Sequence, residues 1–136
     1  MAIEKNITVS GKRKTSIAKA TIKKGNGIVT INKIPYGNLD FFKKLVVKEP
    51  IEIARKILGK FDFDISCRVS GGGSESQIQA VKLAIARSIV KITDSDELKQ
   101  VYTKYDKSLL VADTRRKEAY KPGDSKARRK RQKSFR

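Results

Sequence analysis

The chain has no histidine and no tryptophan, and a single cysteine among its 136 residues. The absence of histidine excludes a Ser-His-Asp triad, a Cys-His pair and any histidine-based zinc site. One cysteine excludes thiolate clusters and an internal disulfide, which agrees with a reducing compartment. No apolar run approaches the roughly 20 residues that a membrane span needs. Met1 to Lys14 lacks the continuous apolar stretch of a secretory signal, so a cytoplasmic protein without a membrane partner is expected. Acids are also scarce, at 14 against 32 Lys and Arg, for a net charge of +18.

That charge is unevenly placed. Residues 115–136 carry eleven Lys or Arg against two acids, half of the net charge, and almost nothing that can be buried. They include Arg115, Arg116 and Lys117 and a dense run with Lys126, Arg128, Arg129, Lys130, Arg131 and Lys133. Nucleic acid is the partner such a tail implies, because each neutralised phosphate releases condensed counterions without any readout of sequence. A solvated tail with no specific contact is the alternative. Guanidiniums bridge phosphate oxygens, and Phe135 offers a face to a base or ribose. A tail that orders only on binding suits a crevice in structured RNA better than a flat duplex. Residues 1–114 remain as one body able to bury a modest core.

Within that body Lys12-Arg13-Lys14 opens a segment in which Ser16, Ala18, Ala20 and Ile22 alternate with Ile17, Lys19, Thr21 and Lys23, a strand with one basic side. Gly25-Asn26-Gly27 then predicts an antiparallel hairpin to Ile28-Val29-Thr30-Ile31. Asn38 is placed to cap a short helix through Lys44, and Pro50 to open a second one that Gly59 stops. Phe61 to Ser70 alternates as a strand with Cys67 pointing inward, where it serves packing rather than reactivity. After Gly71-Gly72-Gly73, an apolar stripe of Ile78, Val81, Leu83, Ala84, Ile85, Ile89 and Ile92 predicts the longest helix, the one that seals the core. Asp94-Ser95-Asp96-Glu97 starts a last helix with Leu98, Val101, Tyr102 and Tyr105, and Leu109-Leu110-Val111 is the final apolar cluster.

Three features bear on chemistry. The triple glycine before a helix is able to present N–H groups to a phosphate, as in a nucleotide enzyme, but lacks the P-loop ending and the dinucleotide spacing, so a plain tight turn competes with that reading. Asp62 and Asp64, two apart on a polar strand face, are of a type that holds a metal or merely solvates a sheet edge. Lys12, Arg13, Lys14, Lys19, Lys23 and Lys24 fall in a stretch without one acid, where like charges repel unless an anion covers them.

Gly11-Lys12-Arg13-Lys14-Thr15-Ser16, Gly25-Asn26-Gly27, Gly71-Gly72-Gly73 with Gln77, Ala84-Ile85-Ala86-Arg87, Asp113-Thr114-Arg115 and Ala127-Arg128-Arg129 to Arg136 stand in order along nearly the whole chain. Together they resemble the small-subunit ribosomal protein nine family. The ending Gln132 to Arg136, with Leu109 to Asp113 upstream, is similar to its archaeal and eukaryotic branch. Two departures are Ser76, where the family often has glycine, and Phe135, where bacterial members have a basic residue.

The resemblance implies an α+β, two-layer body with a mixed, roughly four-stranded sheet and helices packed on one face, followed by a long extended basic tail. It also implies a structural, non-catalytic role without a cofactor, on the head of the small ribosomal subunit beside neighbouring ribosomal proteins. In that reading the basic residues named above bind ribosomal RNA, and Ser134, Phe135 and Arg136 contact peptidyl-site tRNA. The rival is a free-standing, sequence-tolerant nucleic-acid-binding protein of chromatin type, which needs only the basic faces.

Overall fold

A computed structural model of the chain describes residues 6–120 together with Pro122 and Ala127. Five strands form one mixed sheet: β1 (Ile7–Arg13), β2 (Ser16–Lys24), β3 (Val29–Ile31), the two-residue β4 (Ile34–Pro35) and β5 (Phe63–Ser70), in the spatial order β1-β2-β5-β3-β4. Three helices, α1 (Phe41–Leu58), α2 (Ser74–Thr93) and α3 (Asp96–Tyr105), complete an α+β fold. The sheet's inward residues, Ile7, Ala18, Ala20, Ile22, Val29, Ile31, Ile65 and Cys67, share a core with Val47, Ile51 and Ala54 of α1 and the apolar stripe of α2. The intervening strand positions face away from the helices and are exposed or half-buried.

The alternation in residues 16–23 gives β2, as expected, and β1 adds a strand ahead of it whose Ile7, Val9 and Gly11 lie opposite Ile22, Ala20 and Ala18. A two-residue turn at Lys14-Thr15 joins them. The expected hairpin between β2 and β3 does not form. β5 occupies the slot between them, antiparallel to β2 and parallel to β3. Hydrogen bonding explains the insertion: Gly25 N–H donates to Asp62 O (3.0 Å), Ile65 N–H to Ile28 O (2.9 Å), and the N–H groups of Asn26 and Ile28 both donate to Asp64 Oδ1 (2.8 and 3.0 Å). The glycine-containing loop is therefore wrapped over the start of β5 instead of folding β3 back onto β2.

Pro50 also departs from expectation. It lies inside α1, a single helix from Phe41 to Leu58, while Asn38 ends a separate 3-10 turn (Tyr36–Asn38). An interior proline forfeits one helical hydrogen bond and crowds the carbonyl four residues back, at a cost of about 3 kcal/mol. Here the ring is buried, and the Pro50 carbonyl accepts a 2.7 Å bond from Tyr102 Oη, which ties α3 to α1. Burial raises the Tyr102 hydroxyl's pKa above its usual value, so it remains a donor. Gly59 does stop the helix, with its N–H bonded to Arg55 O.

α2 packs across β1, β2, β5 and α1. Its approach to β1 is set by Gly11: a Cβ there would lie 2.4 Å from Ala80 O and 2.7 Å from Ala84 N, both backbone atoms of α2. Ser95 caps α3 by accepting from Leu98 N–H at 3.3 Å. Lys82 of α2 pairs with Glu49 at 2.6 Å, and Glu49 also accepts from Tyr105 Oη at 2.5 Å, so one carboxylate ties all three helices. Cys67 is buried in the central strand and its thiol is pushed up to about 12 by that burial, which keeps it protonated and inert.

Candidate nucleic-acid interface

Register fixes which cations meet on the helix-free face of the sheet. Ser10, Lys19 and Arg68 lie side by side across β1, β2 and β5, and Lys12 and Ile17 form the next pair toward the β1–β2 turn. On the other side runs a row of hydroxyls, Thr8, Thr21, Ser66 and Thr30, in which Thr8 Oγ1 and Thr21 Oγ1 are 3.1 Å apart. Lys23 opposite Asp64 closes the patch. Adjacent strands are about 4.8 Å apart, so Lys19 and Arg68 are like charges held directly opposite each other, an arrangement that is destabilising until an anion intervenes.

Asp64 is the acid of this face, and its charge is already committed to the chain. Its carboxyl is held below the usual range, first by the Ile28 N–H, then by the Asn26 N–H and the nearby Lys23. It therefore serves the Gly25–Gly27 loop rather than a metal. Lys19 and Lys23 are exposed, as the strand phase predicts, and Lys24 is exposed at the strand's end. Lys12 is exposed too, but on the separate strand β1, whose phase the alternation of residues 16–23 does not give. Arg68 was not among the residues singled out from sequence. Its outward phase was readable, but its position beside Lys19 depends on β5 pairing with β2.

Arg13 belongs elsewhere. It has the inward phase of β1, and its Nη1 pairs with Asp113 Oδ2 at 2.6 Å. Arg115 grips the same carboxylate through Nε (2.9 Å) and Nη2 (2.7 Å), and its backbone N–H donates to Asp113 Oδ1 at 2.9 Å. These contacts, led by the Arg115 side chain and N–H with Arg13 adding its charge, hold the Asp113 carboxyl well below the usual carboxylate range. Arg87 adds a second tie, donating from Nε to Leu110 O (2.9 Å) and from Nη1 to Ser10 O (3.1 Å). The segment leading into the basic tail is thus fastened to β1. Lys14, at φ 53° in the β1–β2 turn, is exposed, as are Arg116 and Lys117, the latter with Nζ 4.6 Å over the Tyr120 ring.

The triple glycine is a turn in which the Gly71 carbonyl and the Gly73 N–H and carbonyl meet the protein's own groups. Gly71 O accepts from Ser16 Oγ (2.8 Å) and Gln77 Nε2 (3.0 Å), while Gly73 N–H donates to Ser76 Oγ (3.1 Å). Gly71 and Gly72 have φ 78° and 64°, and a Cβ on Gly72 would lie 2.1 Å from Ser16 Oγ. Ser76 Oγ gives the start of α2 a side-chain acceptor. Among the described residues, no three or more His, Cys, Asp or Glu converge as a metal site, and no helix is long and apolar enough to cross a membrane. Lys126, Arg128, Arg129, Lys130, Arg131, Lys133, Ser134, Phe135 and Arg136 lie outside the described residues.

Residues 11–136 match the family described as ribosomal protein S9/S16. The small ribosomal subunit protein uS9 of Methanococcus vannielii is 42% identical over 129 residues, covering 93% of this chain and 95% of the relative. That of Methanothrix thermoacetophila is 41% identical over 133 residues, covering 97% and 99%. The Desulfurococcus amylolyticus protein of the same name is 42% identical, covering 97% and 94%.

Proposed function

Because the chain belongs to the ribosomal protein S9/S16 family, we propose that it is a structural component of the small ribosomal subunit whose sheet face binds ribosomal RNA and whose tail contacts peptidyl-site tRNA. The observation that carries this reading is the acid-poor patch of Lys12, Lys19, Lys23 and Arg68 beside a row of four hydroxyls. The cations meet phosphates, and the hydroxyls exchange hydrogen bonds with ribose 2′-OH groups, so recognition follows backbone shape more than base sequence. Residues 1–114 act as the anchor on the subunit head, among neighbouring ribosomal proteins. Residues 115–136 supply reach, about 70 Å if fully extended. Lys14, Lys24, Arg116, Lys117 and the run from Lys126 to Lys133 line the RNA passage, and Ser134, Phe135 and Arg136 meet the tRNA. Arg13 and Arg115 are assigned to fastening the tail's root as well as to RNA.

The test of the anchor is the double variant Lys19→Gln, Arg68→Gln. Binding of the full chain to purified small-subunit rRNA should weaken about tenfold or more at moderate salt, and the slope of log affinity against log salt should become shallower by about 1.4 to 1.8. An unchanged slope would remove this face from the RNA interface. For the tail, deleting Gln132 to Arg136 should leave the protein in small subunits while raising the off-rate of peptidyl-site tRNA; equal off-rates from truncated and intact subunits would refute the tRNA contact. Recovery of the intact protein with chromatin instead of small subunits would favour the free-standing rival.

A further inference from the structure

The first turn of α1 presents two aromatic rings that the core does not use. Phe41 and Phe42 are 69% and 78% exposed, edge-to-face with centroids 5.6 Å apart and planes at 74°, and Leu45 beside them is 47% exposed. Exposed pairs of this size keep a large apolar area in water, which marks a contact surface more often than chance. Helical spacing places Phe41, Lys44, Leu45 and Lys48 along one stripe, turned away from the buried Val47, Pro50, Ile51 and Ala54. No acid occurs in the first turn of α1. The preceding Asp40 is engaged by Lys43 at 3.0 Å. Further along the stripe Glu52 pairs with Arg55 at 3.1 Å and with Lys48 at 3.7 Å, exposed contacts weak enough to exchange for a phosphate. The first two turns are therefore aromatic and cationic, and they lie in the helical layer rather than on the basic sheet face.

We infer that Phe41 and Phe42, with Lys44 and Lys48, form a second RNA-binding surface that stacks on an unpaired base and holds its flanking phosphates. A purely apolar protein partner would have no use for the two lysines in the stripe, whereas a single-stranded RNA segment uses both features, base faces on rings and phosphates on cations. The sheet face has no aromatic in its outward rows and handles backbone alone, so the two surfaces divide the work between duplex-like and unpaired RNA. The inference rests on the ribosomal reading above.

The experiment places p-benzoylphenylalanine at position 42, assembles the full chain into small subunits and irradiates them. A cross-link to an rRNA nucleotide is expected; a cross-link to a neighbouring ribosomal protein, or none, overturns the inference. In parallel, Phe41→Ala with Phe42→Ala should weaken binding to purified small-subunit rRNA by about tenfold without changing the salt slope. The corresponding Tyr pair should restore binding and the Leu pair should not. Restoration by leucine overturns the stacking role. Failure of the unmodified chain to enter subunits would overturn both this inference and the ribosomal reading, whereas a protein cross-link from assembled subunits overturns this inference alone.

Discussion

Gly11→Val should destabilise the protein by on the order of 3 kcal/mol or more, although valine is by far the better strand former. The opposing signs make the experiment decisive. Local propensity favours the change, and only the approach of α2 to β1 forbids it. The added Cβ would stand 2.4 Å from Ala80 O and 2.7 Å from Ala84 N. Because both are helical backbone, no rotamer change relieves the clash, and α2 must lift from the sheet along with the apolar stripe it buries. Urea unfolding followed by far-ultraviolet circular dichroism should show a lower midpoint with little change in slope. Gly11→Ala should fall in the same direction, since the first added carbon already collides. A midpoint at or above the parent's would mean that α2 yields easily, and would refute the close-packed contact as a determinant of stability.

Tyr102→Ala should be comparably damaging, at about 3 to 5 kcal/mol by the usual cost of removing a buried aromatic. Tyr102 is among the largest fully buried side chains, and its hydroxyl reaches the Pro50 carbonyl at 2.7 Å. Tyr102→Phe separates the two contributions: it keeps the ring and loses the bond, and should cost about 1 to 2 kcal/mol. Both values are readable from the same unfolding curves. Equal losses in the two variants would mean that the hydroxyl, not the ring, holds α3 on α1. No loss in the phenylalanine variant would mean that the Pro50 carbonyl is satisfied without Tyr102.

Elements with a strong signal of their own were readable from the sequence: the alternation of β2 and β5, the broad stripe of α2 and the acidic start of α3 at Asp94 to Glu97. The misreadings arose where the deciding partner lies far along the chain. Gly25-Asn26-Gly27 has the composition of a hairpin turn, yet Asp64, almost forty residues later, takes its N–H groups and draws β5 into the gap. Pro50 has the local character of a helix start, but a hydroxyl from position 102 and burial of the ring support it in mid-helix. The candidate site follows the same rule. The outward phase of Lys19 and Lys23 is local and was legible, whereas Lys12, on a strand of its own, and Arg68 became their neighbours only through register. Arg13 had the look of one more cation in a run, until its inward phase carried it to Asp113.

The position of β5 also has a consequence for order in time. β5 is the last strand in the chain but the third across the sheet, between β2 and β3. As the polypeptide is made from its N-terminus, β1 and β2 can pair at once through their two-residue turn. The inner edges of β2 and β3 must then wait, unpaired, until residue 70 has emerged. During that interval the chain carries open strand edges of the kind that recruit wrong partners. The long-range pairing that ends it should set the pace of folding. Lys19 and Lys23 on β2 are in place from the start, so self-repulsion between nascent copies guards the edge before its proper neighbour arrives.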